Sequence, residues 1–374
     1  MRILESGNGM ISRATFDLHL KGILDADKSS ESMKGLWAKY QLAKDKLPSE
    51  VLSWIAKKEG NLSDHGILHI ENVFENAARL LNLNPEAEIN GADDKKPFCG
   101  VDIKPVEAFV LGMALMFHDS GNIMGRKGHA KNGRVTMNEV LKDLLKIEEI
   151  RGIDQVMSAH SGVTPSGDPD TIKALAAAPC YICKEPVRMR QLAALVRFSD
   201  ELAEGPQRTS NYLRDQGAFT IQKPNELTSE LKEERNIFHD YASITTVNID
   251  RGNGRIALQY NIDLEDKMFA SPNGVVREYL EPLLNLIFYR IKKTDDERRY
   301  ARFYGGKLLA DFHTTEALVQ FHRDGQDIET GLKPLVLNDL VVPPRSEDIK
   351  KSTDWIREQD AAYDIQNLMG RVWK

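Results

Sequence analysis

The residues of this chain best suited to chemistry are histidines and aspartates placed at the ends of apolar segments. Phe117-His118-Asp119-Ser120-Gly121 closes the run Ala108-Phe109-Val110-Leu111-Gly112-Met113-Ala114-Leu115-Met116. An imidazole and a carboxylate side by side at the end of a buried helix are costly unless something compensates, and a metal ion is the usual compensation. Other candidates stand at comparable positions. Ile70, Val73, Phe74, Ala77, Leu80 and Leu81 recur at helical spacing, which predicts a buried stripe. His69 lies on the edge of that stripe, and His65 points the same way one turn earlier. Either histidine alone also reads as a satisfied core side chain. The Gly-rich exit from the first segment, Ser120 to His129, carries Arg126, Lys127 and a further histidine, His129. His160 falls at the C-terminal end of a helix closing Met157-Ser158-Ala159. Asp200 comes late in an apolar helix predicted over 187–202, where it reads either as a ligand or as a surface residue beside Glu201.

His69, His118, Asp119, His129, His160 and Asp200 make four imidazoles and two carboxylates, a nitrogen and oxygen set suited to Mn, Fe, Co, Ni or Zn. Thiolate chemistry is disfavoured. Cys180-Tyr181-Ile182-Cys183 has no second cysteine pair anywhere and reads as partly buried thiols on a turn. A second His-Asp pair, Phe238-His239-Asp240-Tyr241, precedes a hairpin outside any long apolar helix and reads as solvated.

The elements that must position these residues are mostly helical. The segment Ser12 to Leu20 reads as a strand, and Gly7-Asn8-Gly9 as a turn, since it lacks the Lys-Ser/Thr of a phosphate loop. Residues 32–56 carry a helical pattern broken at Leu47-Pro48, with Pro48 suited to the first turn of a second helix. Residues 84–104 read as an exposed loop, and another helix is expected from about Asn132 to Ile147. After about Asn211 the pattern changes. Ser243 to Asp250 and Arg255 to Asp263 flank Arg251-Gly252-Asn253-Gly254, a hairpin. Helices resume over 275–302 and again over 353–372.

Composition sets outer limits. The 374 residues suffice for one large domain with an appendage or for two domains. With 56 acidic against 50 basic residues, a net charge of −6 argues against a dedicated binder of nucleic acid or of anionic membranes. No apolar run approaches the roughly 20 residues of a membrane helix. The first 26 residues carry no signal-peptide pattern, and three cysteines make no disulfide framework, so a cytoplasmic protein is expected.

The order His69, His118-Asp119, Asp200 resembles the HD phosphohydrolase superfamily, over roughly residues 60–210. Asp64-His65-Gly66-Ile67-Leu68-His69 is similar to the first motif of cyclic-nucleotide phosphodiesterases, which implies that His69 binds metal and His65 serves as general acid. His129 and His160 resemble the additional ligands of binuclear HD enzymes such as the HD-GYP group, although Ser161 stands where a second histidine would follow and no Gly-Tyr-Pro is present. The stretch Arg197 to Arg208 resembles HD proteins some of which are linked to conflict systems. The resemblance implies two divalent ions (Mn, Fe, Ni, Co, Zn or Mg) about 3.5–4 Å apart, bridged by Asp119 and a hydroxide. His69, His118 and Asp200 would hold one ion, and His129 with His160 the other. That hydroxide would attack phosphorus, His65 would protonate the leaving alkoxide, and Arg126, Lys127, Arg197 or Arg208 would neutralise phosphate oxygens.

The fold expected is mainly α: an N-terminal segment over 1–58, an HD-domain helical bundle over 59–212, and an α+β C-terminal region with the hairpin over 213–374. The function expected is hydrolysis of a phosphoester of a nucleotide or cyclic nucleotide, on a small-molecule substrate, with a C-terminal region available for self-association. A dNTP or alarmone hydrolase, an HD nuclease and a non-catalytic metal-binding regulatory module are the alternatives.

Overall fold

A computed structural model describes residues 13–26, 35–58, 66–83, 98, 100–126, 128–142, 144–164, 166–210, 229–264, 279–340 and 348–373. The helices and strands before the first sheet are α1 (Arg13–Ala26), α2 (Leu36–Leu47), α3 (Ser53–Lys58), α4 (Ile67–Leu80), α5 (Pro105–Phe117), α6 (His129–Leu141) and α7 (Ile147–Ser158). A short hairpin follows, β1 (Cys180–Ile182) and β2 (Glu185–Val187), then α8 (Met189–Glu201) and α9 (Ser229–Ile244). The remainder is β3 (Thr245–Asp250), β4 (Arg255–Leu264), α10 (Glu281–Gly305), β5 (Thr314–Arg323), β6 (Gln326–Ile328), β7 (Leu335–Asn338), α11 (Ile349–Gln359) and α12 (Ile365–Val372). The chain is therefore mainly α with a C-terminal sheet.

Two compact units divide it: residues 1–60, 65–203 and 301–310 in the first, and residues 61–64, 204–300 and 311–374 in the second. The first is a helical bundle around α5. Every residue from Val106 to Phe117 is buried, and α5 packs against α1, α2, α4, α6, α7 and α8. A helix apolar on all sides belongs in the middle of such a bundle. Gly112 lets its neighbours close in, because a Cβ there would meet the Tyr40 ring at 2.9 Å and the Phe16 ring at 3.1 Å.

The segment expected as a strand is the helix α1. Phe16 and Leu20 are fully buried, and the polar residues between them, Asp17 and His19, are buried too. Asp17 accepts from the Tyr40 hydroxyl at 2.5 Å and pairs with Lys44, and His19 Nδ1 accepts from the Phe98 N–H at 2.9 Å. These partners let alternate polar residues face inward, so the alternation in the sequence does not mark two faces of a strand. Pro48 opens a π-helical turn, Pro48–Leu52, that joins α2 to α3. Gly7-Asn8-Gly9 and residues 84–97 and 99 of the loop expected over 84–104 lie outside the described residues.

Helices α5 and α7 begin alike. Lys104-Pro105-Val106-Glu107 and Lys146-Ile147-Glu148-Glu149 each place a glutamate three residues after the cap, where its carboxylate accepts the cap residue's N–H, at 3.1 and 2.8 Å. Both glutamates are fully buried. Each is met by a cation from another element: Arg188, the residue before α8, donates to Glu107 from Nε and Nη2 at 2.8 and 2.6 Å. Lys39 of α2 donates to both oxygens of Glu149 at 2.8 and 2.7 Å. Buried carboxylates persist only with such pairing. Cys183 and Lys184 form the two-residue turn between β1 and β2 at φ 52° and 66°, and Cys180 and Cys183 are not joined in a disulfide.

In the second unit the hairpin β3–β4 is antiparallel, as its turn sequence predicts. It belongs to a larger sheet ordered β3-β4-β5-β6, with β7 also paired to β5. The β4–β5 pair is parallel, and the connection between them runs through α10. Ile256, Leu258, Tyr260, Ile262 and Leu264 of β4, with Ala317, Val319 and Phe321 of β5, supply the buried face. His239 and Asp240, expected to be solvated and outside a long helix, lie within the helix α9. His239 is 2% exposed, with its Nδ1 at 2.9 Å from the Thr209 hydroxyl. Among the described residues no helix is long and apolar enough to cross a membrane.

Candidate metal centre

Three helices of the first unit end at one place. His118 follows the last residue of α5, Asp119 comes next, His160 lies two residues beyond α7, and Asp200 is the penultimate residue of α8. Helix C-termini carry partial negative charge and exposed carbonyls, so their convergence favours a cation. His69 in the first turn of α4 and His129, the first residue of α6, complete the set.

These side chains form two groups that share Asp119. In the first, His69 Nε2 lies 3.4 Å from Asp119 Oδ2 and 3.2 Å from Asp200 Oδ1, and His118 Nε2 lies 3.7 and 3.6 Å from the same two oxygens. In the second, His129 Nε2 and His160 Nε2 lie 3.2 and 3.6 Å from Asp119 Oδ1, and 3.3 Å from one another. Each group has all its ligand atoms within 4.8 Å of one another. Ligands at about 2.1 Å from one ion stand about 3.0 Å apart in an octahedron and about 3.4 Å apart in a tetrahedron. The observed separations of 3.2–3.7 Å lie near or slightly above those edges, and Asp119 turns one oxygen toward each group. The donor set therefore fits divalent metal ions.

The rings are aimed by their other nitrogens. His118, His129 and His160 each direct Nδ1 at the carbonyl three residues earlier, of Leu115, Arg126 and Met157, at 3.0, 3.0 and 2.5 Å. Donation from Nδ1 leaves Nε2 as the lone-pair nitrogen, and it fixes the ring plane. Ser161 adds a hydroxyl 3.3 Å from His129 Nε2. Gly121 brings α6 close to the turn after Asp119: a Cβ there would sit 2.0 Å from the His129 carbonyl oxygen and 2.7 Å from the Gly133 nitrogen. Any larger residue would push His129 away.

The electrostatics point the same way. Burial opposes protonation of His118, but Asp119 and Asp200 overcome it and raise its pKa to about 9. His129 is raised too, against its burial, by its bond to Asp119 and the charge of that carboxylate. Asp200 is pulled well below the ordinary carboxylate range: its burial acts upward, and its bonds to His118 and His69 outweigh it. The carboxylates thus draw positive charge into the site. Protons supply it in the ion-free protein, and a divalent ion would supply it better.

All six sequence-predicted ligands meet here. Of the four predicted cations, Arg126, Arg197 and Arg208 lie among the described residues. Arg126 is exposed and contributes its carbonyl to His129. Arg197 donates to the Thr171 hydroxyl at 3.2 Å, and Thr171 donates to the Ala159 carbonyl at 2.6 Å, which braces the backbone beside His160. Arg208 belongs to the second unit, where it pairs with Glu204 at 3.2 Å and lies over the Phe238 ring. His65 and Lys127 lie outside the described residues. Sequence reasoning assigned no role to Glu107 and Glu149, which cap the helices that lead to His118 and His160, to Gly121, which lets α6 approach, or to Thr171, which bonds the carbonyl before His160. Only the repeated Lys-x-x-Glu at two helix starts signalled any of them.

Residues 59–285, more than half of the chain and including all six candidate ligands, match the family model described as HD-CE. No curated protein and no solved structure matches the chain.

Proposed function

The chain belongs to the HD-CE family, an HD-domain family, and on that premise we propose that it is a metal-dependent phosphohydrolase acting on a phosphoester of a nucleotide or cyclic nucleotide. The observation that carries this reading is the division of Asp119: one carboxylate oxygen faces His69 and His118, the other faces His129 and His160. A carboxylate so placed suits two neighbouring cations, the arrangement used for in-line displacement at phosphorus.

His69, His118, Asp119 and Asp200 would hold one ion and Asp119, His129 and His160 the other. Divalent ions held there would supply Lewis-acid polarisation of the phosphoryl oxygens and an acidified water. The residues of the chain do the rest. Asp119 and Asp200 give the site its negative charge, and the Nδ1 bonds of the three histidines hold the rings against rotation. Burial of His69, His118 and His160 excludes bulk water on the protein side, while the partly exposed His129 marks the side from which a substrate would enter. His65, four residues before His69 in sequence, is the proposed proton donor to the leaving oxygen. Arg126 and Lys127, in the turn that leads into His129, are proposed to meet substrate phosphate from outside.

Chromatographic product analysis tests the proposal. Cyclic mono- and dinucleotides, dNTPs and guanosine tetraphosphate are incubated with Mn, Fe or Ni, for the wild type beside Asp119→Ala. Turnover of one substrate class by the wild type and not by the variant is the expected result. Metal-loaded protein that turns over none of them would sink the proposal in favour of a non-catalytic metal-binding module.

A further inference from the structure

We infer that the two buried carboxylate clamps at the far ends of the helices set the two halves of the metal centre separately. The inference rests on the two-ion reading above. Glu107 in the first turn of α5 is held by four donors: the N–H groups of Lys104 and Arg188, and Nε and Nη2 of Arg188. Arg188 is itself fixed by Asp102, whose carboxylate accepts from Nη1 at 2.9 Å and whose carbonyl accepts from Nη2. This clamp ties the start of α5 to the start of α8. The other ends of the same two helices deliver His118 and Asp200, whose ligand atoms lie 3.6 Å apart.

Eleven residues separate Glu107 from His118 and twelve separate Arg188 from Asp200, so the clamp lies about 17 Å from the ligands it aligns. A tilt of about 5° between the two helices would displace those ligands by about 1.5 Å over that length, whereas a metal site tolerates about 0.2 Å. The guanidinium fork fixes both distance and plane, which a single ammonium does not. The second clamp is Glu149 with Lys39, and it ties the start of α7 to α2. α7 leads to His160, and α2 packs on α6, whose first residue is His129. Neither clamp touches a candidate ligand. Glu107, Arg188, Glu149 and Lys39 are positioning residues: the first pair serves the group of His69, His118 and Asp200, and the second serves the group of His129 and His160.

The test is titration of the full-length, metal-stripped protein with Co(II) alone, followed by its visible absorption and by calorimetry. His69→Ala and His129→Ala assign the two binding events. Arg188→Lys keeps the charge and loses the fork, and Lys39→Met removes the second clamp. The expected result is selective: Arg188→Lys weakens the first event tenfold or more and the second by less, through the shared Asp119, whereas Lys39→Met weakens the second tenfold or more with the first unchanged, with circular dichroism as in the wild type. Unchanged affinities in folded variants would overturn the inference and leave the two-ion reading standing. So would an equal loss of both events in each variant, the mark of general loosening. A wild type that takes up no ion would remove both. Should Lys39→Met fail to fold, Arg188→Lys decides alone by the same criterion.

Discussion

The dipeptide His-Asp occurs twice in this chain, at 118–119 and at 239–240, and both histidines are buried. His239 sits inside α9 and has the Thr209 hydroxyl beside its Nδ1. His118 sits at a helix end, binds a carbonyl through Nδ1, and turns Nε2 toward the carboxylates of Asp119 and Asp200, at 3.7 and 3.6 Å. One histidine has a neutral hydroxyl beside its ring, and the other is aimed at a place where positive charge is drawn in. What separates them is the convergence of helix ends, which no dipeptide records.

Substitutions can break or sharpen this contrast. The largest expected difference is between Asp119→Ala and Asp240→Ala. The first should cost at least about 10³-fold in turnover and abolish uptake of both ions, because it removes a carboxylate common to both groups. The second should leave turnover and metal content as in the wild type, by product assay and by elemental analysis. Next comes Gly121→Ala, whose Cβ would collide with backbone atoms of α6. We expect about 1–3 kcal/mol of lost stability and loss of the ion held by His129 and His160, read by denaturant titration and metal stoichiometry. His239→Ala should cost only about 1–2 kcal/mol, with metal content intact, since a half-buried hydroxyl loses a partner and no ligand is removed. If His239→Ala emptied the centre, the contrast between the two pairs would fail.

A pH series sharpens the comparison further. Metal uptake needs neutral His118, which the ion-free protein holds protonated up to about pH 9. Apparent affinity should therefore rise from pH 6 to about 9, with proton release in weakly buffered solution. A flat or falling profile would contradict the arrangement. The smallest effect is expected for Ser161→Ala, less than about tenfold on the second event, because its hydroxyl adds one neutral contact to His129.

How much of this was legible in the sequence follows from what each feature depends on. The six candidate ligands could be read because metal chemistry restricts the residue types and because each stands at the edge of an apolar helical pattern. The β3–β4 hairpin was readable from its turn. The third long strand, β5, was not: its pairing with β4 is parallel and is made across the whole of α10, and no local turn announces it. α1 was misread because Asp17 and His19 are buried with partners 23 and 79 residues away, Tyr40 and Phe98, so their polarity told nothing about exposure. The pair His239-Asp240 was misjudged for the same reason. A buried histidine satisfied by a distant threonine looks, in sequence, like a surface one. The clamps at Glu107 and Glu149 were hidden because their cations, Arg188 and Lys39, come from elements 81 and 110 residues away.

The measurement that bears most directly on the central claim is electron paramagnetic resonance of the Mn(II)-saturated wild type beside Asp119→Ala. Two ions sharing the Asp119 carboxylate should give an exchange-coupled spectrum that disappears in the variant. A saturated wild type with only the six-line signal of isolated Mn(II) would contradict a centre built around that carboxylate.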